Sequence, residues 1–162
     1  MNRWLSLLTA VWALTLGACS SFDRDWRAAA QRPARGADPV AGAWDGEWRS
    51  EMHRRKDGSL GGGRLRCIFT KADATHYRAR FHANWLCFAT GYTEIFETRR
   101  RAGGLDFRGK RDLGAIFGGV YRYEGRVTPE RFVGRFSSGF DRGELDMRRP
   151  AAPRAPSSGP LR

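Results

Sequence analysis

The chain has 162 residues, a formal net charge of +12 and 28% charged residues. That length fits one domain with short terminal segments. Its 41% hydrophobic residues exclude a wholly disordered chain, and 20 glycines with 12% aromatics suit many short strands and turns rather than long helices. So basic a balance raises nucleic acid as a partner, a reading that the N-terminal residues oppose.

Arg3 supplies a positive start, and Trp4 to Leu16 is an apolar run broken only by Ser6, Thr9 and Thr15. Roughly 13 residues suit the apolar core of an export signal and fall short of the ~20 needed to span a bilayer. Leu16-Gly17-Ala18-Cys19 follows. This stretch resembles the lipobox of bacterial lipoproteins. The resemblance implies a signal peptide over 1–18, cut before Cys19, with a thioether-linked diacylglycerol on Cys19 and an acylated amino group. Two chains anchor a protein stably, at about 0.8 kcal/mol per buried CH₂. Ser20 and Ser21 follow, without the aspartate that favours inner-membrane retention in proteobacterial lipoproteins. The implied address is the outer membrane facing the periplasm, or the cell membrane if the source has no outer one. A plain secretory signal with a chance cysteine and a buried N-terminal helix are the alternatives. For an exported protein the available counter-charge is anionic lipid, lipopolysaccharide or cell-wall polymer, not nucleic acid.

Residues 19–41 are polar and mixed, with Pro33 and Pro39. They read as a lipid-anchored flexible tether, with a helical turn or two over 26–31. At the other end, 150–162 is rich in Pro, Ser and Ala and reads as a disordered tail.

Between them, 42–149 alternates with period two. Tyr77, Ala79 and Phe81 oppose His76, Arg78, Arg80 and His82. Leu65, Cys67 and Phe69 oppose Arg64, Arg66 and Ile68. Leu105 and Phe107, Tyr121 and Tyr123, Phe132 and Phe136, and Leu145 and Met147 alternate with polar neighbours in the same way. Such alternation buries one face and wets the other, as in antiparallel sheets. Asp57-Gly58, Gly61-Gly62-Gly63, Gly103-Gly104, Asp112-Leu113-Gly114, Thr128-Pro129-Glu130 and Asp141-Arg142-Gly143 mark turns. The expected strands fall near 43–50, 62–71, 76–85, 87–99, 104–110, 115–127, 130–138 and 142–149. About eight short strands with local pairing predict an all-β fold, an antiparallel up-and-down barrel, with a two-sheet sandwich as the alternative. The expected interior is Trp48, Leu65, Phe69, Tyr77, Phe81, Phe107, Tyr121, Tyr123, Phe132, Phe136, Leu145 and Met147. Most are large, so the barrel is expected to be mostly packed, with at most a small pocket near one mouth, ringed by tyrosine.

Gly46-Glu47-Trp48 on the first strand resembles the Gly-x-Trp signature of lipocalin-like barrels. In that family an arginine on the last strand packs over the tryptophan, which implies Arg148 or Arg149 over Trp48. The middle motif of the family is absent, so its function does not carry over.

With Cys19 assigned to lipid, Cys67 and Cys87 remain. An even pair in an oxidising compartment predicts a disulfide, stabilising by about 3 kcal/mol in the loop-entropy model. Its alternative is two separate buried thiols. His53, His76 and His82 give no metal-ligand spacing, and no serine sits in a nucleophile motif. Gly61-Gly62-Gly63-Arg64 lacks the lysine and helix of a phosphate loop. No cofactor, metal or catalytic residue is expected. The basic groups Arg54, Arg55, Lys56, Arg78, Arg80, Arg99, Arg100 and Arg101 are candidates for adhesion to an anionic surface. The function expected is binding without catalysis, of an envelope component or a small apolar ligand. The alternative is a protein-interaction module such as an envelope protease inhibitor or assembly factor.

Overall fold

The structure is a computed structural model, and it describes residues 21–32, 38–85, 88–115 and 118–151. Eight antiparallel strands close into a barrel in sequence order, the last pairing with the first. They are β1 (Gly42–Ser50), β2 (Gly61–Lys71), β3 (His76–Trp85), β4 (Phe88–Arg101), β5 (Gly104–Asp112), β6 (Val120–Val127), β7 (Arg131–Ser137) and β8 (Arg142–Arg148). Closure leaves no strand edge exposed. The sandwich alternative is therefore excluded. The expected strand 115–127 is found from Val120 onward, after Gly118 and Gly119, whose positive φ does not continue a strand.

Successive turns fall at alternate ends. The loops 51–60, 113–119 and 138–141 share one end with the β3–β4 connection. The turns 72–75, 102–103 and 128–130 lie at the other, together with the start of β1 and the end of β8. The second end is shut. Trp44 is 0% exposed and Val40 is buried beside it. The Trp44 indole N–H donates to the Val40 carbonyl at 3.2 Å, and the Tyr77 hydroxyl donates to Asp38. The Arg149 guanidinium lies 3.9 Å from the Trp44 ring centroid. It donates to the carbonyls of Pro39, Ala41, Ala43 and Pro129. The tryptophan under the arginine is thus Trp44 and not Trp48. Gly42-Ala43-Trp44 repeats the Gly-x-Trp spacing four residues earlier, and that copy sits level with Arg149.

Above this plug the interior is packed. Phe132 makes edge or tilted contacts with Trp44, Phe69, Phe81 and Phe107 at centroid distances of 5.9, 5.4, 6.3 and 5.0 Å, the geometry aromatic quadrupoles favour. Leu65, Phe69, Tyr77, Phe81, Phe107, Tyr123, Phe132, Phe136, Leu145 and Met147 are buried, with Trp48 and Tyr121 half-buried against them. Trp44, Phe96, Leu105 and Val127 complete this core.

Residues 21–31 form a helix, α1, docked on the outer wall of β1–β3. Phe22 is buried and stacks on His82 at 5.1 Å. Arg66 lies over the rings of both Phe22 and Trp26. Asp23 pairs with Arg66 and Asp25 with Arg80, and the Trp26 indole donates to the Trp44 carbonyl. A free tether over this stretch is therefore not what forms: two aromatics and two carboxylates at helical spacing meet a complementary wall. His82, expected on a wet face, is only 7% exposed beneath it. No helix among the described residues is long and apolar enough to cross a membrane.

The expected disulfide is not found. Cys67 is a free, fully buried thiol facing the core, and burial pushes it well above its ordinary pKa, which leaves it unreactive. Cys67 is level with Phe81, four rungs from Trp85 and Phe88, the pair flanking residues 86–87. At ~3.3 Å per residue this is about 13 Å along the strand, beyond the ~7 Å Cα limit for a bridge. Cys87 itself, Cys19, the signal segment 1–18 and the tail beyond 151 lie outside the described residues.

Candidate functional site

The open end of the barrel holds a cavity of about 430 Å³, within the range of small-molecule sites. Its place follows from strand phase. Inward positions at this end carry Trp48 on β1, Ala83 on β3, Tyr92 and Glu94 on β4, Arg111 on β5, Tyr121 and Tyr123 on β6, Phe136 on β7 and Leu145 on β8. Met52, His53, Leu113 and Asp141 line it from the loops. Tyr92 stacks on Phe81 at 5.0 Å, and Tyr121 stacks between Tyr123 and Phe136, each 6.4 Å away. One side of the cavity is therefore a wall of rings.

The polar side is an ion pair. Glu94 is 5% exposed and accepts from Arg111 Nη1 at 3.1 Å. The same guanidinium nitrogen donates to the Thr93 carbonyl. Burial pushes the Glu94 carboxyl above its ordinary value, against the pull of Arg111. Burial also raises the phenols of Tyr92 and Tyr123, so they act as neutral hydrogen-bonding groups. The buried indole N–H of Trp48 has no acceptor among the described residues. Buried tryptophan N–H groups usually find one, so a ligand acceptor here would complete the site.

The direction of the Glu94 shift sets a test. A carboxyl with a raised folded-state pKa holds its proton more tightly when folded. Its contribution to stability therefore falls as pH rises from the ordinary 4.5 through the raised value. Denaturant midpoints of wild type, measured against Glu94→Gln from pH 4 to 8, are expected to decline relative to the variant. A constant difference would show that Arg111 offsets the burial completely.

A serine, a histidine and an aspartate also meet at this end. Ser50 Oγ lies 2.7 and 2.8 Å from the Asp141 oxygens and 3.1 Å from His53 Nδ1. This is not a hydrolase triad, where the imidazole stands between hydroxyl and carboxylate. Here the hydroxyl donates to the carboxylate directly, and Ser50 is fully buried. Asp141 also accepts from the Met52 N–H at 3.2 Å. The cluster fastens loop 138–141 to loop 51–60 and so fixes the shape of the rim. No group of three or more His, Cys, Asp or Glu among the described residues could hold a metal.

The eight candidate basic residues do not form one patch. Arg54, Arg55 and Lys56 lie in loop 51–60 at the open end, whereas Arg99, Arg100 and Arg101 end β4 at the closed end. Arg80 is engaged by Asp25 and Phe22, and Arg101 pairs with Asp106. Sequence reasoning passed over Glu94 and Arg111. The signal was available, because Glu94 shares the inward phase of Tyr92 and Phe96. Comparison of the chain with protein-family models, with curated proteins and with solved structures found no match.

Proposed function

We propose that this chain is an exported lipoprotein, anchored through Cys19 to the cell envelope, whose barrel binds one small amphiphilic molecule without catalysis. The observation that carries the binding role is the open-end cavity, with a wall of aromatic rings facing one buried ion pair. Rings and Leu145 would hold an apolar or flat body; Arg111, the tyrosine hydroxyls and the Trp48 N–H would orient a polar end. Few precise polar groups on an apolar lining are the usual form of a small-molecule site. The burial of Ser50 supports binding over hydrolysis. Export and anchoring rest on the apolar run and the Leu16-Gly17-Ala18-Cys19 stretch.

An apolar fluorescent probe titrated into the purified protein tests the binding role. Saturable one-to-one binding is expected. Ala83 lines the cavity, and Ala83→Trp would fill much of it, so the variant is expected to bind at least tenfold more weakly while keeping its far-UV circular dichroism. Unchanged binding by a folded Ala83→Trp protein would place the probe elsewhere and remove the cavity as the site.

A further inference from the structure

Among the described residues, large apolar side chains are exposed almost entirely at one end of this barrel. Met52 is 58% exposed and Phe140 63%, with Leu113 and Val120 also exposed. All four sit on or beside the open-end loops. Ile95 on the β4 wall is the other one among the described residues. The closed-end turns 72–75, 102–103 and 128–130 carry none.

The loop backbone that carries these side chains is held by hydrogen bonds. The Met52 N–H is fixed by Asp141 and the Phe140 N–H by Ser138 Oγ. Gly139 N–H donates to Gly118 O, which couples loops 113–119 and 138–141, and Leu113 N–H donates to Gly119 O within the first of them. A rigid rim that presents apolar groups to water is unfavourable unless something covers it.

Charge and chain geometry indicate what covers it. Arg54, Arg55 and Lys56 are exposed in the loop that carries Met52. Of the nearby acids, Glu51 is exposed, and Asp57 and Asp112 accept from Ser59 and the Gly114 N–H, bonds that do not neutralise a carboxylate; loop 51–60 therefore sets three basic residues against two acidic ones. Apolar groups beside basic ones form the pattern of a surface that enters anionic head groups. The start of α1 lies in the same region. Ser21 shares a crevice with Gly91 and Thr93, on the half of β4 nearer the open end. Cys19 precedes Ser21 by two residues in the sequence. A lipid carried at Cys19 would join the chain just before the end of α1 that lies toward the open end.

We propose that the open end is a membrane-contact surface. Met52, Leu113, Val120 and Phe140 enter the head-group layer of the anchoring bilayer, and Arg54, Arg55 and Lys56 meet its anionic lipids. The part concerning orientation rests on the reading of Cys19 as lipidated. The cavity then opens onto the bilayer, so an amphiphile passes between membrane and barrel without crossing bulk water.

The test uses the full lipoprotein reconstituted in vesicles of phosphatidylethanolamine and phosphatidylglycerol. The photocrosslinking residue p-benzoylphenylalanine replaces Phe140 or, at the closed end, Arg100. Illumination is expected to give a phospholipid adduct at position 140 in at least tenfold higher yield than at position 100. Equal yields, a higher yield at 100, or a crosslink from 140 mainly to a second copy of the chain would overturn the proposal. Hydrogen exchange gives an independent reading: loops 51–60 and 138–141 should slow on vesicles relative to detergent, and the protein carrying Met52→Asp with Phe140→Asp should lose that protection. A Cys19→Ala arm separates the two ideas. Release of this variant from membranes upholds the anchor. A Cys19→Ala chain that still partitions with the membrane when Met52→Asp and Phe140→Asp are also present removes the anchor, while the adduct ratio still decides the contact surface.

Discussion

Replacing Trp44 by alanine is expected to destabilise the barrel by about 3–5 kcal/mol, the range for truncating a buried tryptophan. The side chain is fully buried at the closed end and in edge contact with Phe132. Its loss opens a cavity between Val40 and Phe132 and removes the ring face on which Arg149 rests. A desolvated cation–ring contact adds up to ~2 kcal/mol, and Arg149 has no other aromatic partner among the described residues. The Val40 carbonyl also loses its donor. Against a total stability of roughly 5–15 kcal/mol, the variant should unfold at far lower denaturant. Trp48→Ala is the comparison. Trp48 is half-buried, already lines an open cavity and donates to no described acceptor, so its truncation should cost about 1–2 kcal/mol by lost apolar burial. Equal midpoints for the two variants in guanidinium, followed by circular dichroism, would show that the arginine-capped plug does not hold the closed end.

The two tryptophans also show where the sequence stops being readable. Gly42-Ala43-Trp44 and Gly46-Glu47-Trp48 have the same spacing and the same strand phase. Which copy meets the arginine depends on the stagger between β1 and β8, where Asp45 pairs with Arg148 and Trp48 with Leu145. That register is a property of the closed barrel. The strands were legible because turn residues and period-two alternation are local. Tyr77, Ala79 and Phe81 announce an inward face without reference to any partner. Docking of α1 was not legible, since its receptor is a set of outward residues, Arg66, Arg80 and His82, that read as solvated. Two outward residues did carry a trace of it. Ala43 and Ile68 are apolar in the polar phase and buried, and they are direct partners across β1 and β2. The disulfide failed for a related reason. Compartment and cysteine count say that a bond is permitted, but only register says whether the two sulfurs are within reach. The cavity is intermediate: its tyrosines announce their phase, whereas the Glu94–Arg111 pair needs β4 and β5 aligned to be seen.

The small inward residues of β6 and β7 lead to the second large effect. Read from the chain, Gly125 and Gly134 suggest vacant room inside the barrel. They are in fact direct cross-strand partners, and the space between them is filled by Phe107. A Cβ built on Gly125 or Gly134 would lie 2.6 or 2.8 Å from Phe107 Cζ, closer than real atoms allow. Phe107 is 3% exposed, with Phe96 and Phe132 at 4.7 and 5.0 Å. Phe107→Ala should therefore cost about 3–5 kcal/mol. Gly134→Ala should cost about 1–3 kcal/mol by overpacking, chiefly because the ring must move. The two effects should not add. With the ring gone, the tightest contact left to the new methyl at 134 is the Glu124 carbonyl oxygen at 3.1 Å, so the double variant should be more stable than the sum of singles by at least ~1 kcal/mol, within the usual coupling for residues in contact. Gly125→Ala separates ring from backbone, because its Cβ would also lie 2.2 Å from the Val133 carbonyl oxygen, a clash that truncating Phe107 leaves in place. The Phe107→Ala/Gly125→Ala pair should stay close to additive. If urea unfolding found the Gly134 pair additive as well, the glycines would be serving the backbone of β6 and β7 rather than seating the ring.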